Sequence, residues 1–145
     1  MDYRTILIAE DDTDDRFLFE TAFADRGFTD KLIFFDNGVE LLSYLNSLEK
    51  ESSGNTVYPG FIILDLNMPK KDGREVLKEI KQHSVFRKIP VIVFTTTKNE
   101  LEISRCYELG ANTYIVKPVS YEDLIRVVEL IQNYWFRAAS IPGYE

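Results

Sequence analysis

Four stretches of this chain pass from a short apolar run straight into side chains that can handle a charged oxyanion. Ile6–Ala9 leads into Glu10-Asp11-Asp12, Phe61–Leu64 into Asp65-Leu66-Asn67, Val91–Phe94 into Thr95-Thr96, and Thr113–Val116 into Lys117-Pro118. Carboxylates brought together repel unless a cation joins them. Hard oxygen ligands beside a phosphate-handling site suit Mg²⁺, which keeps several waters and takes one or two carboxylates. On this reading Asp11 and Asp65 ligate the metal directly, together with the backbone carbonyl of Asn67, and Glu10 acts through a metal-bound water. The metal and the Lys117 ammonium then neutralise charge on a transferring phosphoryl group. Asp65 is an ionised nucleophile that needs no general base. Thr95 hydrogen-bonds a phosphoryl oxygen on arrival.

Each of these residues also has a plainer explanation. Acidic residues after a strand commonly cap the next helix, and Asp12, Thr13, Asp14 and Asp15 fit that role. Asp14 and Asp15 read as a solvated face. Asp65 is different, because a charge directly after a buried strand is costly without a purpose. Lys117 sits before a proline whose preceding peptide is a candidate for the cis form. Thr95 carries little weight alone, since threonine is common at strand ends. His83, the only histidine, is assigned no catalytic role, and Cys106, the only cysteine, a buried packing role.

The four groups meet only if the elements that carry them form one sheet. Short runs rich in β-branched and aromatic residues predict strands at Ile6–Ala9, Lys31–Phe35, Phe61–Leu64, Val91–Phe94 and Thr113–Val116. Ile62-Ile63-Leu64 is continuously apolar, as in a strand covered on both faces. Segments of helical period lie between the strands. The first carries Phe17, Leu18, Thr21, Ala22 and Phe23 and stops at Gly27. The second runs from about Val39 to Leu48, on Leu41, Leu42, Leu45 and Leu48. The third groups Val76, Leu77 and Ile80 after Gly73. The fourth spans about Glu100–Leu109, with Gly110 as its C-terminal cap. The fifth starts near Tyr121, capped by Ser120, and turns Leu124, Val127, Val128 and Ile131 inward. This alternation predicts an α/β domain with a parallel sheet and right-handed crossovers. Ligands bind such sheets beyond the carboxyl ends of the strands, where the four groups fall.

The 145 residues, 45% hydrophobic and 28% charged, suit one domain able to fold without disulfide or metal. Glu51–Gly60 reads as a surface insertion and Ala138–Glu145 as a tail that frays or docks. The net charge of −7, without a basic stripe, argues against nucleic-acid binding. One cysteine excludes an internal disulfide and is compatible with a reducing compartment. No apolar run approaches the ~20 residues of a membrane span, and Met1-Asp2-Tyr3-Arg4 lacks a secretory pattern, so the expected location is the cytoplasm.

Ile6-Leu7-Ile8-Ala9-Glu10-Asp11-Asp12 resembles the acidic opening of bacterial response-regulator receiver domains. Asp65-Leu66-Asn67-Met68-Pro69 with Asp72-Gly73 resembles their phosphorylation-site loop, and Val93-Phe94-Thr95-Thr96 and Tyr114-Ile115-Val116-Lys117-Pro118 resemble their other two signatures. The resemblance covers about residues 5–135, leaving 136–145 as a C-terminal extension of a single receiver domain. It implies a doubly wound, flavodoxin-like (βα)5 fold of strand order 2-1-3-4-5. It implies a phosphorelay in which a histidine kinase or phosphotransfer protein donates to Asp65, and a domain that catalyses this transfer and its later hydrolysis. By position, Glu10, Asp11, Asp65 and the Asn67 carbonyl form the Mg²⁺ site, Lys117 contacts the phosphate, and Thr95 and Tyr114 form a switch pair. Thr95 is drawn inward on phosphorylation, and Tyr114 then rotates from an exposed to a buried position.

Two departures from the family pattern stand out. Thr96 replaces a usually smaller residue, which alters water access to an acyl phosphate. With no DNA-binding or enzymatic domain expected to follow, the output is expected to pass through a downstream partner. The Asp65–Gly73 loop, the long loop before Phe61 and Tyr134-Trp135-Phe136 are similar to single-domain regulators paired with phytochrome-type histidine kinases. Those three adjacent aromatics cannot share one helix side, so at least one is exposed or docked, and a homodimer through the last helix is one outcome. Two other functions compete. An aspartate-nucleophile phosphatase would want a second Asp where Asn67 stands; a phosphorylation-independent binding module would not need the full set of Glu10, Asp11, Asp65, Thr95 and Lys117.

Overall fold

The computed structural model describes residues 5–25, 31–51 and 58–142. Five strands, β1 (Thr5–Ala9), β2 (Lys31–Phe35), β3 (Phe61–Leu64), β4 (Val91–Thr95) and β5 (Thr113–Val116), alternate with five helices. The helices are α1 (Thr13–Asp25), α2 (Gly38–Lys50), α3 (Gly73–Gln82), α4 (Glu100–Leu109) and α5 (Tyr121–Asn133). All strand pairs are parallel and the order is β2-β1-β3-β4-β5, the flavodoxin-like arrangement. Among the described residues no helix is long and apolar enough to cross a membrane.

The alternation of side chains along the central strands divides the core into two layers. Leu7, Ala9, Ile62, Leu64, Val91 and Val93 face α2, α3 and α4, meeting Leu41, Leu45, Val76, Leu77, Ile80 and Cys106. Ile6, Ile8, Phe61, Ile63, Ile92 and Phe94 face α1 and α5, meeting Phe19, Ala22, Phe23, Leu124, Val128 and Ile131. β1, β3 and β4 are therefore covered on both sides, which is why they read as unbroken apolar runs.

The helix starts are capped by side chains, at Ser120 as expected. Ser120 accepts from the Asp123 amide at 3.1 Å, and Asn37, Asp72 and Asn99 cap α2, α3 and α4 in the same way. Gly110 closes α4 at φ 110°, in the left-handed region that suits glycine. Some expectations need correction. α1 buries Phe19, Ala22 and Phe23, whereas Phe17 is 65% exposed. Phe19, Ala22 and Phe23 keep the three-and-four spacing of one helix face, and Phe17 lies off it. Val127 is only half-buried. No described peptide bond is cis, so Lys117-Pro118 takes the trans form that X–Pro bonds favour. Most of the Glu51–Gly60 insertion, the stop at Gly27 and the last three residues lie outside the described residues.

The aromatic run after α5 packs on its own chain. A π-helical turn, Tyr134–Ala138, follows α5 and sets the Phe136 ring 5.0 Å and the Trp135 ring 6.4 Å from that of Phe61. Tyr134 is the aromatic left outward, 56% exposed.

α3 begins against the loop that follows β3. The Gly73 amide donates to the Leu66 carbonyl at 2.9 Å, and a Cβ at Gly73 would fall 2.3 Å from the Asp65 carbonyl oxygen. That contact is with backbone, so no side chain can yield. Gly73→Ala should cost about 1–3 kcal/mol of stability, read as a lower urea midpoint; an unchanged midpoint would mean that the loop after Asp65 shifts freely.

Candidate functional site

Backbone hydrogen bonding runs one residue past the strand ends and thereby fixes the site. The Glu10 amide donates to Phe35 of β2 at 3.0 Å, the Asp65 amide to Ala9 of β1 at 3.1 Å, and the Lys117 amide to Thr95 of β4 at 2.8 Å. Each charged residue is thus held as though still in the sheet, at its carboxyl edge. The apolar strands beneath bury it: Glu10 is 2% and Asp65 6% exposed. Asp11 remains exposed.

The sequence-predicted residues converge. Carboxylate oxygens of Glu10, Asp11 and Asp65 lie within 4.8 Å of one another, a donor set of hard oxygens that fits a divalent metal ion. Lys117 Nζ donates to Glu10 at 2.7 Å and reaches Asp65 at 3.4 Å. Thr95, fully buried at the end of β4, has a hydroxyl with no hydrogen-bond partner among the described residues. The Asn67 amide donates weakly to Asp65 Oδ1 at 3.4 Å. Tyr114 stands half-buried, its hydroxyl donating to the Thr97 carbonyl at 2.9 Å.

Asp15 corrects the expectation of a solvated face. Its carboxylate accepts from Lys117 Nζ at 2.9 Å. Its only sequence signal was a place in the first turn of α1, above the strand ends. Asp12, by contrast, does cap α1, accepting from the Asp14 and Asp15 amides at 2.8 and 3.1 Å. Two further features escaped the sequence. Lys70 takes φ 67° within a three-residue turn closed by the Lys71 amide on Pro69, a strained form for a residue with a side chain. Arg74, at the start of α3, pairs with both Asp72 and Glu102 and so ties α3 to α4.

The electrostatics follow from one ammonium serving several carboxylates. Burial pushes the Glu10 carboxyl up to about 7, and neighbouring Asp65 adds to the rise; the hydrogen bond from Lys117 offsets only part of it. Burial works against the Lys117 charge, yet hydrogen bonds to Glu10 and Asp15 carry its pKa above the ordinary lysine range. Lysine has anions to spare while Glu10 has too little cation.

The fold and this site define a phosphate-signalling receiver, and comparison with known proteins agrees. Residues 6–129 match the response regulator receiver domain, and the chain belongs to that family, whose members act in two-component signalling. Response regulator Rcp1 of Synechocystis is 36% identical over 140 residues, covering 97% of this chain and 94% of Rcp1. The "Probable methanogenesis regulatory protein FilR2" of Methanothrix harundinacea is 39% identical over 138 residues, covering 95% of this chain and 87% of that protein. Among solved structures, the phosphorylated cyanobacterial phytochrome response regulator RcpA superimposes with a TM-score of 0.86 at 36% identity, over 98% of this chain and 100% of RcpA. Rcp1 in its Mn²⁺-bound form superimposes at 0.81, over 97% and 99%.

The raised Glu10 pKa has a defined sign. The metal-free fold holds an extra proton between about 4.5, the value for free glutamate, and about 7. Its stability on this account falls as pH rises through that window. A divalent cation requires the carboxylate, so binding releases the proton. Metal affinity should weaken as pH falls below about 7, and Glu10→Gln should remove that dependence. Calorimetric titration on either side of neutrality, in buffers of different ionisation enthalpy, checks this; a flat wild-type profile puts Glu10 out of the metal's reach.

Proposed function

We propose that Asp65 is the phosphoacceptor of this receiver, that Mg²⁺ is its metal, and that a sensor histidine kinase or phosphotransfer protein is its donor. One observation carries the reading. Asp65 is buried at the end of β3, within reach of both the metal-suited carboxylates and the Lys117 ammonium. An Asp65 oxygen forms the new bond to phosphorus while the donor's bond breaks and the leaving group keeps its electron pair. Glu10, Asp11, Asp65 and the Asn67 carbonyl would hold Mg²⁺, which offsets the charge on the phosphoryl oxygens when bound. Lys117 exchanges one of its carboxylate contacts for a phosphoryl oxygen. The Thr95 hydroxyl supplies a donor that an arriving oxygen can use, which relieves the cost of a buried unpaired group, about 1–3 kcal/mol.

Thr95 and Tyr114 form the switch on this reading. Moving Thr95 toward the phosphoryl group alters the β4–α4 loop, whose Thr97 carbonyl tethers the Tyr114 hydroxyl. α4 responds because Cys106 is its only buried residue, with Leu101 81% exposed. A downstream protein would read the surface that α4, β5 and α5 share. The likeness to RcpA, a phytochrome response regulator, supports a phytochrome-type kinase as donor; a cytoplasmic location and action as a single domain belong to the same reading.

Incubation with Mg²⁺ and acetyl phosphate or phosphoramidate should add one phosphoryl group, seen by intact mass, and Asp65→Asn should abolish it. Turnover of phosphate esters without an adduct would instead mark a phosphatase, and no reaction a fixed binding module. The donor is tested by phosphotransfer from a labelled phytochrome-type kinase; transfer no faster than from an unrelated kinase would remove that pairing.

A further inference from the structure

Lys117 is more crowded than its role as a phosphate contact requires. Its three N–H groups are spread over Glu10 at 2.7 Å, Asp15 at 2.9 Å and Asp65 at 3.4 Å. The longest contact is the one to Asp65. Asp15 differs from the other two carboxylates in what surrounds it. It lies outside the group whose oxygens come within 4.8 Å of one another, so it has no place among the metal-suited ligands. It is also the most accessible of the lysine's partners, its side chain 35% exposed against 2% for Glu10 and 7% for Asp65. Asp15 and Lys117 line a small crevice together with Leu18, Phe19, Phe94 and Leu124. Apolar neighbours lower the local dielectric and strengthen the pair.

We propose that Asp15 is a positioning residue that holds the Lys117 ammonium on the α1 side of the site. Held there, the lysine stays at its longest contact from Asp65 and leaves that carboxylate short of positive charge, which favours a divalent cation. It also forces an arriving phosphoryl group to compete with Asp15 for the ammonium. The same residue therefore strengthens the first binding event and weakens the second. The proposal rests on the receiver reading for its phosphoryl arm only.

Opposed effects give the test its discrimination. In the full chain, Asp15→Asn removes one negative charge and frees Lys117 to close on Asp65. Mg²⁺ affinity, measured by calorimetry, should fall by roughly threefold to tenfold, the size of one unit charge a few ångströms away in a partly screened site. Affinity for beryllofluoride at saturating Mg²⁺, measured by ¹⁹F NMR titration, should rise by about the same factor. Asp15→Glu, which keeps the charge, should return both towards the wild-type values. A change of the two affinities in the same direction, or no change in either, overturns the proposal; a merely structural Asp15 would lower thermal stability and leave both affinities alone. If the wild-type chain takes up no beryllofluoride, the receiver reading fails, and the Mg²⁺ arm still stands as a separate test: no fall in affinity in Asp15→Asn overturns the proposal.

Discussion

A shortage of positive charge organises this molecule's working edge. Glu10, Asp15 and Asp65 crowd around one ammonium, that of Lys117, and Asp11 adds a fourth carboxylate beside Glu10 and Asp65. Like charges about 5 Å apart repel by a few kcal/mol even at an effective dielectric near 20. The groups cannot relieve this by moving apart, because the backbone bonds from Glu10, Asp65 and Lys117 to neighbouring strands hold each in place. The apolar layers on both sides of the sheet supply the stability that keeps the carboxylates together. The site is thus an unsatisfied one by construction, and cations or phosphoryl groups are what its charges and its unpaired Thr95 hydroxyl can accept.

Much of this was legible in the residues. The strands follow from short β-branched runs, and their burial on both faces from the absence of alternation in Ile62-Ile63-Leu64. The sheet order was different in kind: pattern alone predicts parallel strands, and the order came from resemblance. Glu10, Asp65 and Lys117 could be placed because strand ends are predictable and the sheet brings those ends together. Asp15 and Arg74 could not, since their partners, Lys117 and Glu102, lie 102 and 28 residues away and across helix surfaces that no periodicity registers. Phe17 misled because α1 has aromatic residues on two sides, and only the packed fold separates the buried pair, Phe19 and Phe23, from the exposed one.

α4 stands apart from the other helices in how it is held. α2 and α3 bury several apolar residues each, whereas α4 is secured by Cys106, by Glu102 through Arg74, and by its glycine cap. Polar contacts at its edge do the work that apolar burial does elsewhere. An element with so little buried surface opens at lower cost than the sheet it lies on. Arg74 begins the helix whose start is pinned to the Leu66 carbonyl, so the tether of α4 and the loop after Asp65 share one rigid base.

The docked π-helical turn determines what intrinsic fluorescence can report. Trp135, the chain's only tryptophan, lies against Phe61 at the amino end of β3, while Asp65 follows the other end. A strand of this length puts roughly 13 Å of backbone between Phe61 and Asp65. Quenching by a ligand at the acidic edge is therefore indirect, and the emission is a gauge of how tightly the C-terminal turn seats on the sheet. An optical signal on metal or phosphoryl uptake would thus report motion relayed through the core.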